Sequence, residues 1–203
     1  MNLAPLPDHA RTDDPLWQTL FHRYRHVIAP LRRNGWTTDI EMSGREYHIR
    51  ADLGDGTELI IATSGSLPVD PDDVDGWVAS RQTVETPKVC TALYDSTPNG
   101  PQAHHGIGLI PMMMRIDKLD ARVDAQRLLV LSTTVHPSGA SRNRTGPIET
   151  PGTAVARAFE WSQNLVSNGH TKVWERPEPA DVLAVFERDG LVTAVRVGHP
   201  WRD

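Results

Sequence analysis

Hydrophobic residues recur at helical spacing near the start of the chain. The apolar side chains on one arc of this predicted helix are Leu16, Trp17, Leu20, Phe21, Tyr24, Val27, Ile28 and Leu31. Asp13 or Asp14 can cap the helix, and Pro15 suits its first turn. Pro30 lacks a backbone N–H and is expected to bend or end it. Residues 1–13 are rich in Pro and Asp without periodicity, so we predict a flexible arm there.

The period changes to two at Trp36, and five strand-like segments follow. These segments are residues 36–42, 47–53, 57–63, 77–84 and 88–94. Asp55 and Gly56 supply a turn signal between the second and third segments. The connections are short, and parallel strands would need long crossovers. We therefore predict an antiparallel meander of about five strands.

A second helix is predicted from Pro111 onward. Its apolar stripe contains Met112, Ile116, Leu119 and Val123. Met113 lies near this stripe, whereas Met114 falls on the opposite side of the helix. We therefore expect two of the three consecutive methionines in the core.

The rest of the chain mixes strands with a third helix. Residues 128–135 and 171–175 predict strands, and 182–198 predicts a hairpin that turns at Arg188-Asp189-Gly190. Residues 153–168 predict a helix that Gly169 can end. Residues 135–152 fit neither period, and a long loop of this kind is either mobile or functional.

Strand runs that do not alternate regularly with helices favour an α+β fold. We predict a curved antiparallel sheet, with the N-terminal helix and two further helices packed on it. Residues 14–203 are expected to form a single domain, in which 153–203 could instead be a small C-terminal lobe.

Composition and charge narrow the function classes. The 203-residue chain has a formal charge of −5, which disfavours a domain devoted to phosphate backbones. Cys90 is the single cysteine, so an internal disulfide is excluded and a reducing cytoplasm is favoured. Cys90 lies in a predicted strand and is expected to be buried and structural. The chain has no secretory signal and no apolar run of membrane-spanning length, so we predict a cytoplasmic protein without a membrane partner.

His104 and His105 form the most conspicuous pair of polar residues. With Asp95 upstream and Asp117 downstream, they could provide acid–base chemistry, contact a ligand or serve only as part of a loop. Adjacent histidines point apart on helices and strands. No metal-binding spacing such as HExxH supports them, so we predict no metal and no cofactor.

Basic residues suggest two further contact surfaces. His22 and His26 lie one helical turn apart beside Arg25 and Arg33, on a face that is either solvated or turned to an acidic or phosphate-bearing partner. Arg32 adds to this face. Two arginines of the predicted sheet, Arg50 and Arg81, could hold an anion.

A sequence pattern extends across roughly residues 36–105. It reads WTTDI…YHIRADLGDGTELIIA…DGWVASR…ALYDSTPNGP. In this pattern the chain resembles a family of uncharacterised proteins from high-GC actinobacteria. The resemblance implies a bacterial host and a cytoplasmic compartment, and it brings no catalytic residue.

Three hypotheses follow for function. The first is a non-enzymatic binding or accessory protein, in which the curved sheet or the first helix contacts a ligand or protein partner, with a homodimer also open. The second is an enzyme of small-molecule or phosphoester chemistry, with a site near Asp95, His104 and His105. The third is nucleic-acid binding through the basic face of the first helix.

Overall fold

The protein is described by a computed structural model that covers residues 3–85, 90–120, 128–175 and 182–198. The chain divides into two compact units, Met1–Leu119 and Asp120–Asp203. Each unit contains an antiparallel five-stranded sheet and at least one helix. The α+β prediction is therefore confirmed, and the later strands form a second sheet of their own.

The sheet of the first unit is a meander. Its strands are β1 Thr37–Ser43, β2 Glu46–Asp52, β3 Thr57–Ala62, β4 Val78–Thr83 and β5 Cys90–Asp95, in the order β1-β2-β3-β4-β5. Every neighbouring pair is antiparallel. Gly54 and Gly56 adopt φ of +74° and +81° in the turn between β2 and β3, a region that favours glycine. The predicted five-strand meander is confirmed.

Three α-helices of the first unit are α1 Pro15–Arg23, α2 Arg25–Arg33 and α3 Leu109–Ile116. The Asp14 side chain caps α1 by accepting from Leu16 N at 2.7 Å, and Pro15 begins the helix, as predicted. The break falls at Tyr24, and α2 continues through Pro30 to Arg33, so Pro30 does not end the helix. Pro30 is buried inside α2, and packing of this helix offsets an interior-proline cost of about 3 kcal/mol.

The core of the first unit lies on one face of the meander. It includes Trp36, which precedes β1, and the strand residues Ile40, Ile49, Ala51, Leu59 and Ile61, all buried. Helices α1 and α2 contact β1, and α3 contacts β5. Met112 and Met113 are fully buried, whereas Met114 is 53% exposed. The prediction for the three methionines is therefore confirmed.

The segment before α1 carries contacts that its composition does not predict. Ala4 is buried; its N–H donates to Arg32 O at 3.0 Å, and its carbonyl accepts from the Arg32 guanidinium. His9 Nε2 lies 2.9 Å from Asp39 Oδ2. Residues Ala10–Asp13 form a 3-10 helix. These contacts attach the segment to α2 and β1.

The second unit places one long helix on a second sheet. Its elements are β6 Leu129–Val135, β7 Ser141–Thr145, α4 Pro151–Ser167, β8 Thr171–Glu175, β9 Val182–Arg188 and β10 Leu191–Gly198. The strand order is β7-β6-β10-β9-β8, and α4 contacts β6, β9 and β10. The predicted hairpin is confirmed, with Asp189 and Gly190 at φ of 52° and 77°.

Strand β7 was not predicted, because residues 135–152 show neither period. Among the described strands it pairs with β6 only, and all five of its residues are exposed. A strand that buries no side chain has no hydrophobic alternation for a sequence pattern to detect. The prediction of an aperiodic loop over 135–152 is wrong for residues 141–145.

Candidate functional site

The carboxylate of Asp95 closes its own turn. Its Oδ1 accepts from Thr97 N at 3.0 Å and from Thr97 Oγ1 at 2.7 Å. Gly100 packs so closely on this carboxylate that a Cβ at residue 100 would collide with it. The carboxylate therefore stabilises the turn after β5, and its hydrogen bonds stay within that turn.

The rings of His104 and His105 meet each other and a buried tyrosine. Their centroids are 4.1 Å apart, and His105 Nδ1 lies 3.0 Å from Tyr94 Oη. Burial raises the pKa of Tyr94. The contact with Tyr94 fixes the 3-10 turn Ala103–His105 to β5. The structure brings the two histidines together but does not bring the Asp95 carboxylate to them.

Asp117 lies at the end of α3 and is buried, where its Oδ1 accepts from Asn34 Nδ2 at 2.6 Å. Asp117 therefore links α3 to the end of α2. Within residues 3–85, 90–120, 128–175 and 182–198, no group of three His, Cys, Asp or Glu side chains could hold a metal ion.

His26 is held against aromatic side chains. Its ring lies 6.0 Å from the Tyr24 ring and 6.1 Å from the Trp77 ring. Burial lowers the pKa of His26 to about 4, which outweighs the raising effect of its hydrogen bond with Arg23 O. His26 is therefore neutral at pH 7 and adds no positive charge to the helix face.

The expected basic face of the first helix is smaller than the sequence suggests. Arg32 and Arg33 are buried, and Arg32 donates to Ala4 O through Nε at 3.1 Å and Nη2 at 2.6 Å. The placement of Arg33 on a solvated face is wrong, because packing covers the last turn of α2. His22 is exposed and Arg25 is half-buried.

Arg50 lies at the centre of a polar network on the outer face of the first sheet, the face opposite the core. Its guanidinium pairs with Glu41 of β1, at 2.9 Å from Nη1 to Oε2, and with Glu58 of β3 through Nε at 2.7 Å. Gln82 of β4 donates to the other oxygen of Glu58 at 2.7 Å. The network joins four strands and neutralises the charge of Arg50.

Arg81 is engaged at the β2–β3 turn. Its Nη2 lies 2.5 Å from Asp55 Oδ2, and its Nε donates to Thr57 Oγ1 at 2.9 Å. The hydrogen bond from the Thr57 hydroxyl, with Arg81 as a further cause, lowers the pKa of Asp55. An anion at Arg50 or Arg81 would have to displace one of these carboxylates.

A depression lies on the outer face of the first sheet, at the end next to the β2–β3 turn. It has a volume of about 790 Å³ and is lined by Arg50, Asp52, Gly54, Gly56, Glu58, Thr83, Val84 and Glu85. We call it the acidic depression, because three carboxylates line it against one guanidinium that is already paired.

Two of these carboxylates lie directly opposite each other. Asp52 of β2 and Glu58 of β3 are partners in the antiparallel register, so their side chains point to the same face. Like charges at directly opposed positions destabilise a sheet. Glu58 is buried and compensated by Arg50, whereas Asp52 is exposed and accepts a backbone hydrogen bond from Gly54 N at 2.8 Å. A cation at this end of the depression would relieve the repulsion.

Among the lining residues, Arg50 is a predicted site residue. Asp52, Glu58 and Glu85 are not among the residues that the sequence pattern indicates. A turn at 54–56 between two alternating segments suggests, without fixing it, the register in which residue 52 lies opposite residue 58. The position of Glu85 follows from the end of β4 and could not be read from the pattern.

Cys90 is exposed, so the prediction of a buried structural cysteine is wrong. It begins β5, which is one of the two edge strands of the first sheet and pairs, among the described strands, with β4 only. An edge strand has a neighbouring strand on one side only, so residues along its other side can stay exposed.

Comparisons of the chain with protein-family models, with curated proteins and with solved structures gave no match. The resemblance to actinobacterial proteins thus stays a prediction. In the part of the chain that the structure describes, no helix combines the length and apolar character needed to cross a membrane.

Proposed function

We propose that the protein is a non-enzymatic binding or accessory protein whose first sheet receives a positively charged group at the acidic depression. The observation that carries the proposal is the opposed pair Asp52 and Glu58, beside Glu85, around a guanidinium that is already neutralised. A lysine ammonium or an arginine guanidinium is the ligand group that fits this charge. Partially exposed ion pairs contribute about 0.2–1 kcal/mol each, so the site suits a protein partner that makes several such contacts.

The alternative hypotheses have less support from the geometry. An enzyme at Asp95, His104 and His105 would need these groups to converge on a cavity. The hydrogen bonds of Asp95 and His105 instead stabilise the loop after β5. Nucleic-acid binding by the first helix would need the charges of Arg32 and Arg33 at the surface, and both side chains are buried.

A cytoplasmic location is part of the proposal. The single cysteine, Cys90, is free and exposed. An exposed thiol is stable against oxidation in a reducing compartment, which supports the cytoplasm over an oxidising one.

We further infer a homodimer through the outer face of the second sheet, the side opposite α4. Val135, Val192 and Trp174 are exposed there by 42%, 41% and 43%. Strand register places the small residues Thr133 and Ala194 in the middle of this face. An apolar sheet face of this kind is typical of an interaction surface.

Charge favours a second copy as the occupant of this face. Glu187 and Arg196 lie on the same face as Ala194, on opposite sides of it along the strands. A two-fold axis that runs across the strands at Ala194 would bring Glu187 of one copy towards Arg196 of the other. Two-fold interfaces are self-complementary in this way.

The acidic depression can be tested with a pair of matched ligands and a pair of matched variants. Acetyl-arginine amide carries the guanidinium, and acetyl-citrulline amide has the same shape without the charge. We expect the arginine compound to bind at low ionic strength with a Kd of roughly millimolar order and the citrulline compound not to bind. The double variant D52N/E85Q removes two exposed carboxylates and should weaken binding about fivefold.

The control variant is D75N, which removes an exposed carboxylate of the same unit outside the depression. It should change the Kd by less than about twofold, since the attraction between two charges in water weakens with the distance between them. Equal binding of the two ligands would refute a charge-selective site. Equal loss in D75N and D52N/E85Q would show a general effect of negative charge.

A further inference from the structure

The second unit contains an arginine that lies over a tryptophan ring. Arg144 of β7 places its guanidinium carbon 4.5 Å from the ring centroid of Trp161 on α4. A guanidinium in contact with an aromatic ring can still donate hydrogen bonds through its N–H groups. Among the described residues, no carboxylate forms an ion pair with Arg144.

A small hollow of about 110 Å³ is lined in part by this pair. Its polar lining includes Arg144, Ser132 of β6 and Asn164 of α4, and its apolar lining includes Trp161, Leu165 and Val195. Within the described part of the chain, the side chains of Ser132 and Asn164 form no hydrogen bond. Three polar groups with unused donors therefore converge on one hollow with an apolar wall.

We propose that this hollow binds a carboxylate that carries a short apolar chain. The Arg144 guanidinium would donate two parallel hydrogen bonds to the carboxylate oxygens, the geometry that arginine favours with this group. The Ser132 hydroxyl and the Asn164 amide supply further donors. The chain of the acid would lie against Leu165 and Val195.

The charge of the hollow selects a monoanion over a phosphate dianion. Arg144 is the one charged group among its lining residues. Asn164 lies in the last turn of α4, and Asn168, also a lining residue, is the C-cap, where the helix carries a partial negative charge. A single guanidinium near a helix C-terminus balances one negative charge better than two.

The neighbouring arginine on the same strand provides the control. Arg142 lies on the same side of β7 as Arg144, two residues away, and is exposed, but it does not line the hollow. Substitution of either residue removes one positive charge from the same strand. A specific site depends on Arg144 alone, whereas general attraction of anions depends on both arginines.

The test is an NMR titration of the full chain, read at the indole N–H of Trp161, whose signal is assigned with W161F. The probes are propionate and acetyl-glutamate amide, which present the same carboxylate free or as a side chain. We expect saturable shifts for at least one probe, an affinity at least about tenfold weaker in R144Q and less than about twofold weaker in R142Q. The charge-preserving variant R144K should fall between wild type and R144Q, because an ammonium cannot form the two parallel bonds.

The outcomes distinguish a free acid from an acidic side chain as the ligand, and they test whether the site exists. Binding of propionate alone identifies a free acid as the ligand, and binding of acetyl-glutamate amide alone identifies an acidic side chain of a partner. No saturable shift with either probe overturns the proposal, as does an equal loss in R142Q and R144Q. Circular dichroism of R144Q checks that the exposed substitution leaves the fold intact.

Discussion

At the residue scale, His26 shows how packing changes the chemistry that a residue type suggests. The sequence pattern predicts that this side chain belongs to a basic helix face, one helical turn from His22. Its ring lies against Tyr24 and Trp77, and burial lowers its pKa to about 4. A histidine whose pKa is lowered on folding binds fewer protons in the folded state than in the unfolded chain.

This shift predicts a dependence of stability on pH. With a pKa near 6.5 in the unfolded chain, the contribution of His26 is fully present above that value and is lost as the pH falls towards about 4. Between pH 7 and pH 5 the free energy of unfolding should fall by roughly 2 kcal/mol on account of His26. Urea unfolding at the two pH values measures this fall.

The variant H26Q isolates the contribution, because glutamine does not titrate. Its free energy of unfolding should fall less between pH 7 and pH 5 than that of the wild type, while H22Q, at an exposed position, should follow the wild type. An identical fall in H26Q and the wild type would show that folding does not lower the pKa of His26.

Residue burial could be predicted where one helical period decides it. The burial of Met112 and Met113 and the exposure of Met114 follow directly from the angular positions of these residues on a helix. Burial of Arg33 and exposure of Cys90 depend instead on which segments cover a helix end or a strand edge. These contacts are made by residues far apart in the chain, and a local pattern does not contain them.

At the element scale, hydrophobic alternation predicted the strands that bury one face. It failed for β7, which is polar throughout, and for the helix break at Tyr24, where the hydroxyl donates to Pro68 O at 2.5 Å. Strand β7 has no hydrophobic alternation to detect. The contact of Tyr24 with Pro68 joins residues far apart in the chain, which a local pattern does not contain.

We predict that self-association occurs through the outer face of β10. Val192 lies next to Val135 in the register, and both are exposed. Replacement V192K places a charge in the middle of the proposed interface, where desolvation opposes association. Light scattering coupled to size-exclusion chromatography should show a wild-type dimer that increases with concentration and a V192K monomer.

A matched control for this prediction is V166K, which places the same charge at a valine of α4 that is exposed by 51%. It should associate like the wild type. A wild type that stays monomeric at high concentration would contradict the dimer. Equal loss of the dimer in V166K and V192K would contradict the assignment to this face.

At the scale of the whole molecule, the net charge of −5 indicated that phosphate backbones are poor ligands but did not locate a site. The structure concentrates part of this negative charge at the acidic depression of the first unit. Arg50, the residue that the sequence offered for an anion, forms pairs with Glu41 and Glu58 there. The candidate site thus has the opposite charge preference from the predicted one.

The fold class and the five-strand meander could be predicted because both follow from local periodicity. The candidate site could not be predicted in full, because it depends on the register between β2 and β3 and on the residues that follow β4. The opposed acids Asp52 and Glu58 would have required that register, which one turn signal at 54–56 suggests but does not fix.

The most direct test of the proposed binding site is an NMR map of the backbone amides of the isotope-labelled protein during titration with acetyl-arginine amide. We expect the largest shifts at the lining of the acidic depression, at Gly54, Gly56 and Glu85, with little change among residues 128–175. The shifts should diminish as salt screens the carboxylates. Absence of shifts at the depression, or larger shifts at the acidic residues Asp70 to Asp75, would contradict the proposed binding site.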